Sequence, residues 1–283
     1  MSDPVVRPTE TPAPCRVMEA VACLNDATTR HQAAGVWVGF SGGDDSLTAA
    51  LVTSQAALFR GCLHLDTGIG VQETQEFVRE TCKRQGWPLL IYRAKDCGQD
   101  YDALCVKYGF PGPGAHFRMY SRLKERPLRQ FVRAHKRHHR DRIILSTGAR
   151  SKESKRRMGH VQPERRDGCV VWMNPLHDWS KQDCLDYITE RHAKHNPVVE
   201  TLGMSGECLC GSFAHPNELD EITNAYPAVG ERLMALEDRV KAAGLSACEW
   251  GKQPRRTQTV SKRKVSELCQ SCELAPLFGD YSG

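Results

Sequence analysis

The run Val36-Trp37-Val38-Gly39-Phe40-Ser41-Gly42-Gly43-Asp44-Asp45-Ser46-Leu47-Thr48-Ala49-Ala50-Leu51-Val52 decides the fold. An apolar stretch rich in β-formers meets two adjacent glycines. Asp and Ser then open an Ala/Leu-rich segment with apolar residues at helical spacing, so the run reads as strand, tight turn, helix. Such a turn aims successive backbone N–H groups at one point ahead of a helix N-terminus, where the macrodipole adds positive potential. That is an anion seat, with phosphate as its usual occupant. The hydroxyls of Ser41 and Ser46 add donors, and Gly42 and Gly43 let an oxygen approach the backbone without a Cβ in the way.

Outward from this turn the chain keeps alternating. Cys15 to Gln32 has helical spacing ahead of the first strand. Gly61 to Leu65 reads as a second strand ending in Asp66-Thr67-Gly68, Val71 to Arg84 as a helix, and Pro88 to Tyr92 as a third strand. A helix over Gly98 to Tyr108 and a loop at Phe110-Pro111-Gly112-Pro113-Gly114 follow. Met119 to Lys136 resumes as a strongly basic helix in which Pro127 marks a first turn or a kink. Arg142 to Ser146 is a fourth strand, delivering Thr147 to Ser154 to the sheet edge, and Cys169 to Met173 is a fifth, ending in Asn174-Pro175-Leu176-His177-Asp178-Trp179. Ser180 then caps a helix, with Asp183 placed for a capping box. Strands alternating with helices imply a parallel sheet with right-handed crossovers, whose ligands lie at the carboxyl ends of the strands. The seat after strand one and the Asp66 turn after strand two are therefore expected to face one crevice.

With 283 residues the chain can bury one core plus a smaller appendage, and no apolar run approaches the roughly 20 residues of a membrane helix. Residues 1–14 are polar and proline-rich, which predicts a disordered tail without a secretory signal and a cytoplasmic location. The formal charge of +5 is unevenly spread: Arg118 to Arg142, Arg150 to Arg166 and Lys252 to Lys264 are dense in basic residues. Such clustering suits a polyanionic partner or a nucleotide, with solvated helix faces and a mobile loop as the plain alternative.

The turn has neither the G-x-x-x-x-G-K-[ST] of the Walker loop nor the G-x-G-x-x-G of dinucleotide folds. It matches S-G-G-x-D-S, and in this it resembles the PP-loop ATP pyrophosphatases, which split ATP between its α- and β-phosphates. Asp66-Thr67-Gly68, Gly148 to Ser154, and Asn174 to Trp179, in this order, narrow the resemblance to the phosphoadenosine phosphosulfate (PAPS) reductase-like branch, over about Gly35 to Pro216. The resemblance implies a five-stranded parallel sheet of the adenine-nucleotide α-hydrolase type. It also implies that Ser41, Gly42, Gly43, Asp45 and Ser46 hold the pyrophosphate or sulfate end of the nucleotide, that Asp66 lies near it, and that Arg150 reaches phosphate oxygens. Asp45 and Arg150 are the candidate catalytic pair. A guanidinium at the strand ends can also clamp phosphate in a fork on chemical grounds alone, and Arg150 stands beside Lys152, Lys155, Arg156 and Arg157, of which Arg156 is a further phosphate ligand candidate.

Two departures shape the expected activity. The x position, often lysine in relatives, is Asp44 here; it is expected to point to solvent from the first helical turn, with a divalent cation as the alternative. The reductases carry a catalytic cysteine in a C-terminal Glu-Cys-Gly motif, and the stretch Cys272 to Gly283 has none. The reading is therefore an enzyme that cleaves ATP, with Mg²⁺ bridging phosphates, to AMP and pyrophosphate. That cleavage would activate a substrate for sulfur transfer or nucleic-acid modification, with a nucleotide, a nucleic acid and a sulfur-donor protein as partners. A PAPS or adenylylsulfate reductase and a non-catalytic nucleotide sensor or nucleic-acid-binding protein are the alternatives.

Thirteen cysteines in an odd count do not suggest a disulfide framework. Cys23, Cys62, Cys82, Cys105, Cys169 and Cys184 read as small buried residues. Cys208-x-Cys210 and Cys269-x-x-Cys272 have ligand-like spacing, which suits Zn²⁺ or an iron–sulfur cluster equally, with four reduced cysteines holding no metal as the plain alternative. Resemblance favours a 4Fe–4S cluster over Zn²⁺, and His215 is a possible substitute ligand. Between the pairs, Asn217 to Asn224 and Ala228 to Ala243 read as helices and Trp250 to Leu268 as a flexible basic arm for polyanions. The chain thus divides into a tail (1–14), a nucleotide-binding α/β domain (15–205) and a cysteine-bearing helical lobe with its arm (206–283).

Overall fold

The computed structural model describes residues 13–136, 138–151 and 161–252, and the backbone of 264–265 and 273–274. Helix α1 (Ala13–His31) precedes strand β1 (Ala33–Gly39) and helix α2 (Asp44–Thr53). Then come β2 (Phe59–Asp66), α3 (Gln72–Gln85), β3 (Leu89–Arg93) and α4 (Tyr101–Tyr108). Helix α5 (His116–Tyr120), a wide π turn (Ser121–Glu125) and α6 (Arg126–His135) form one helical run ahead of β4 (Arg142–Ser146). Strands β5 (Glu164–Asp167) and β6 (Val170–Met173) and helices α7 (Lys181–Glu190), α8 (Pro197–Leu202), α9 (Glu218–Ala225) and α10 (Pro227–Ala242) follow. Two short paired strands, β7 (Lys264–Val265) and β8 (Glu273–Leu274), come last, antiparallel to each other.

The main sheet has the order β3-β2-β1-β4-β6-β5. Its first five members in that order are parallel, as the alternation of strand and helix requires, while β5 runs antiparallel to β6 at the edge. The sheet is thus six-stranded rather than five-stranded. The extra strand, Glu-Arg-Arg-Asp, carries no apolar residue to mark it: an edge strand has one neighbour and can stay polar. The inner strands are buried on both faces, so they read as apolar runs. Val36, Ile144, Val171 and Met173 pack with Leu24 and Ala27 of α1, whereas Trp37, Ile143, Leu145 and Trp172 pack with Leu128, Phe131 and Val132 of α6.

Helix α7 opens on the expected capping box, with the Ser180 side chain accepting from the Asp183 amide while Asp183 accepts from the Ser180 amide. Pro127 sits at the start of α6, directly after the π turn, so the irregularity of the helical run falls where proline removes an N–H donor. The basic helix begins earlier than its apolar pattern suggests and includes the π turn. Cys62, Cys82, Cys105 and Cys184 are buried as expected, but Cys23 is exposed and Cys169 half-buried. Helices α9 and α10 share a core with α4 and α8, in which Ile222, Leu233, Leu236 and Val240 meet Tyr101, Leu104, Val198 and Leu209.

Candidate active site

From β1 the chain goes outward to β2 and β3 and then returns to β4 on the other side of β1, so the strand order reverses at β1. Ligands in open α/β sheets bind in the crevice that opens there, beyond the carboxyl ends of the strands. A cavity of about 520 Å³ occupies this place. Gly39, Phe40, Ser41 and the first turn of α2 line it from β1, Leu63 and Leu65 from β2, and Ser146, Thr147, Gly148 and Ala149 from β4. Its opposite wall is the α5–π turn run and the segment 203–214.

The turn is built as the sequence demands. Gly42 has φ +86°, a region that strains any residue with a side chain. The buried Asn196 holds the turn from below, donating from Nδ2 to the Gly42 carbonyl at 3.0 Å and to Thr74 Oγ1 at 3.1 Å. Gly43 is the N-cap of α2 and has no side chain to cap it, which leaves the first-turn N–H groups without a cap among the described residues. The Ser46 hydroxyl donates to the Gly43 carbonyl at 2.8 Å, and Ser41 donates to Ser46 at 3.2 Å. Gly148 lets the β4 edge close on α2: a Cβ there would stand 2.4 Å from the Asp45 carbonyl oxygen.

Charges surround the turn in a chain. Arg150 donates from Nη2 to Asp45 Oδ2 at 3.0 Å, and its buried Nε has no partner among the described residues. Lys181, the first residue of α7, donates to Asp44 Oδ2 at 3.0 Å and to Asp45 Oδ1 at 3.1 Å. His195 Nδ1 pairs with Asp44 Oδ1 at 3.0 Å. Asp44 is therefore not a solvent-facing residue: it is 6% exposed and bracketed by Lys181 and His195. Burial pushes its carboxyl up, but the bonds from His195 and Lys181 outweigh burial and hold it below the usual carboxylate range. Lys181 is desolvated too, yet Asp45 and Asp44 raise its ammonium above the ordinary lysine value.

Of the residues singled out in the sequence, Ser41, Gly43, Asp45 and Ser46 line the cavity, and Arg150 stands behind Asp45. Asp66 does not join them. Its Oδ1 accepts from the Gly68 amide at 2.9 Å and from Gln75, and Arg93 lies 3.6 Å from its other oxygen, so it caps its own turn instead. Arg156, Cys269 and Cys272 lie outside the described residues, as does most of the basic arm. His215 is exposed and faces Glu218 and Glu221. Among the described residues no group of three or more His, Cys, Asp or Glu could hold a metal ion. The two carboxylates at the turn are tied to side-chain partners, Asp44 to Lys181 and His195 and Asp45 to Lys181 and Arg150.

The far wall holds Lys124, Glu207 and His116, which sequence reasoning passed over, beside Cys208 and Cys210, which it singled out. Lys124, in the π turn, forms a buried ion pair with Glu207 at 2.8 Å. Nothing in the sequence links residues 83 positions apart. Cys208 and Cys210 line the same cavity with His116. A hydrogen bond from Cys208 holds the Cys210 thiol well below its usual range, burial opposes it and His116 adds to it, while the same bond and burial push Cys208 up. The segment is pinned by the Thr67 hydroxyl on the Glu207 carbonyl at 3.1 Å and by Trp250 Nε1 on the Leu209 carbonyl at 3.0 Å. For Lys181 a signal did exist: an acid placed in a phosphate turn calls for a cation from elsewhere, and the first turn of the α7 helix supplies it.

Residues 35–231 match the family described as the phosphoadenosine phosphosulfate reductase domain. Two uncharacterized proteins of Methanocaldococcus jannaschii are each 25% identical over 205 and 211 residues, or 70% and 71% of this chain. The chain spans only 40% and 49% of their lengths. Similar solved structures include NMN synthetase from Francisella tularensis (15% identity, TM-score 0.53) and the NH3-dependent NAD synthetase of Campylobacter jejuni in complex with nitrate (16%, TM-score 0.50). Each match covers 88% of this chain and 100% of the other, a likeness of fold. PAPS reductase from Candida auris matches over 68% of this chain and 85% of its own, at 17% identity and a TM-score of 0.48.

Proposed function

The chain belongs to the phosphoadenosine phosphosulfate reductase domain family, and on that footing we propose that its crevice binds ATP and cleaves it to AMP and pyrophosphate, activating a substrate for sulfur transfer or nucleic-acid modification. The observation that carries this reading is the uncapped first turn of α2 opening into the strand-end cavity, with Arg150 and Lys181 beside it. Both cations are paired with the carboxylates of the turn, Arg150 with Asp45 and Lys181 with Asp44 and Asp45. A pyrophosphate group seated on the turn offers Arg150 the bidentate partner that Asp45 gives it only in part, and its Nε, without a partner among the described residues, is the donor still to be used. Cleavage then needs little beyond positioning and charge neutralisation: turn amides and Arg150 hold the leaving pyrophosphate while an acceptor oxygen attacks the α-phosphorus. Lys181 joins Ser41, Ser46 and Asp45 as a residue of the phosphate end.

Cys208 and Cys210, which line the crevice, would supply half of a four-thiolate site for a 4Fe–4S cluster or Zn²⁺, with Cys269 and Cys272, outside the described residues, as the candidates for the other half. The test of the main reading is incubation with ATP and Mg²⁺, alone and with candidate acceptors. Release of AMP and pyrophosphate supports it, and production of ADP and phosphate alone refutes it.

A second reading is favoured by the same two thiols. A PAPS or adenylylsulfate reductase needs a thiol near the sulfonyl group, and Cys208 and Cys210 share the cavity with the anion turn. Sulfite release from either nucleotide with a thiol reductant would establish it.

A further inference from the structure

Helix α5, the π turn and α6 present two different faces. His116, Met119, Tyr120, Leu123 and Lys124 line the crevice. The other face carries Arg118, Arg122, Arg126, Arg129 and Arg133, at successive spacings of 4, 4, 3 and 4 residues. Residues three and four apart are neighbours on a helix, so these five guanidiniums form one stripe. The 15 residues from Arg118 to Arg133 span about 22 Å at roughly 1.5 Å per residue. Arg118, Arg126, Arg129 and Arg133 are exposed and Arg122 half-exposed. The single acid between residues 116 and 135 is Glu125, which is buried, with Arg129 at 3.9 Å.

At the N-terminal end of the stripe stand two aromatic rings that the core does not take. Tyr108 is 38% exposed and Phe117 46%, and the other large apolar side chains this exposed among the described residues are Met18 and Met234. Cations surround these rings: Arg118 lies 5.8 Å from both ring centres, and Lys107 and Arg122 lie 5.3 and 5.4 Å from that of Tyr108. Exposed rings interleaved with guanidiniums are what a single-stranded nucleic acid uses. Bases stack on the rings, and the backbone, with a phosphate about every 3.4 Å along a stacked strand, follows the cations. An acidic protein would use the charges and leave the rings idle. A duplex would offer its phosphates but not its base faces.

We propose that the Arg118–Arg133 stripe with Tyr108 and Phe117 is a docking surface for single-stranded nucleic acid. A strand lying there passes within one helix diameter, about 10–12 Å, of the crevice wall. Its role as acceptor in the crevice rests on the ATP reading above, whereas the docking itself does not.

The test uses the full-length protein and fluorescence anisotropy with a labelled single-stranded 15-mer, as DNA and as RNA, against the same sequence as duplex and against poly-glutamate. The triple variant Arg118→Glu/Arg126→Glu/Arg133→Glu should weaken single-strand binding at least about 100-fold. It should also flatten the slope of log K against log salt by about 2, since each lost phosphate contact removes roughly 0.7. Tyr108→Ala/Phe117→Ala should weaken it about 10-fold or more with the slope unchanged, and Tyr108→Phe/Phe117→Trp should restore it. Thermal midpoints within a few degrees of the wild type certify folding of these surface variants. Unchanged binding in the triple variant overturns the proposal. So does duplex or poly-glutamate binding as tight as single-strand binding, or indifference to loss of both rings, which would mark a general polyanion surface. Oligonucleotide binding without any ATP cleavage by the wild type would sink the ATP reading and leave the docking surface standing.

Discussion

Replacing Lys124 by methionine should destabilise the protein by about 3–5 kcal/mol, the usual cost of leaving one partner of a buried ion pair without its counter-charge. The structural basis is the 2.8 Å contact to Glu207, with the two side chains only 11% and 7% exposed, so that solvent screening does little to soften the loss. For a domain of this size that cost corresponds to a fall in melting temperature of roughly 6–20 °C, at about 2–4 °C per kcal/mol. Glu207→Met alone should behave similarly, because it removes the carboxylate that Lys124 meets at 2.8 Å. The double variant should recover most of the loss, since replacing a buried pair with apolar groups of similar volume is often neutral. Urea titrations read by tryptophan fluorescence suit the measurement, Trp172 and Trp250 being almost fully buried. A cost below about 1 kcal/mol for Lys124→Met, or a double variant that simply sums the single losses, would refute the pair as a coupled buried unit. The consequence extends to the site, because this pair ties the segment bearing Cys208 and Cys210 to the π turn.

Three further outcomes are expected. Gly148→Ala should lower ATP affinity by 10-fold or more while leaving the secondary structure intact by circular dichroism, because its Cβ would stand 2.4 Å from the Asp45 carbonyl and displace the anion turn; wild-type affinity in isothermal titration would show the β4–α2 contact to be irrelevant. The carboxyl of Asp44 is held low because the His195 and Lys181 bonds outweigh burial, and that of Asp183 because the Ser180 and Arg16 contacts do so. Such groups add stability that is complete above the ordinary value of 3.8 and is lost as pH falls through the depressed one, so denaturation midpoints should be level from pH 7 to about 5 and drop below about 4. The acid limb should be shallower in Asp44→Asn, and an identical limb would contradict the assignment. Burial lifts the thiols of Cys105 and Cys184 to about 12, so neither should react with iodoacetamide at pH 8 until urea is added, as read by peptide mass spectrometry. Labelling of either in the native protein would contradict it.

What the sequence determined by itself is whatever depends on neighbours along the chain. The turn follows from Gly42, whose backbone conformation other residues resist, the capping box at Ser180 and Asp183 from a three-residue spacing, and the parallel sheet from apolar runs alternating with helices. The polar edge strand Glu164–Asp167 was illegible because an edge has no second neighbour to require apolar residues. Asp66 shows the opposite failure: a motif residue in the right turn whose carboxylate is consumed by its own loop. The rest of the site was decided by tertiary structure. Lys181 and His195 reach Asp44 across 137 and 151 residues, and Lys124 reaches Glu207 across 83, through packing that no local pattern records. A buried carboxylate must find a counter-charge somewhere, and only the assembled fold brings one within reach.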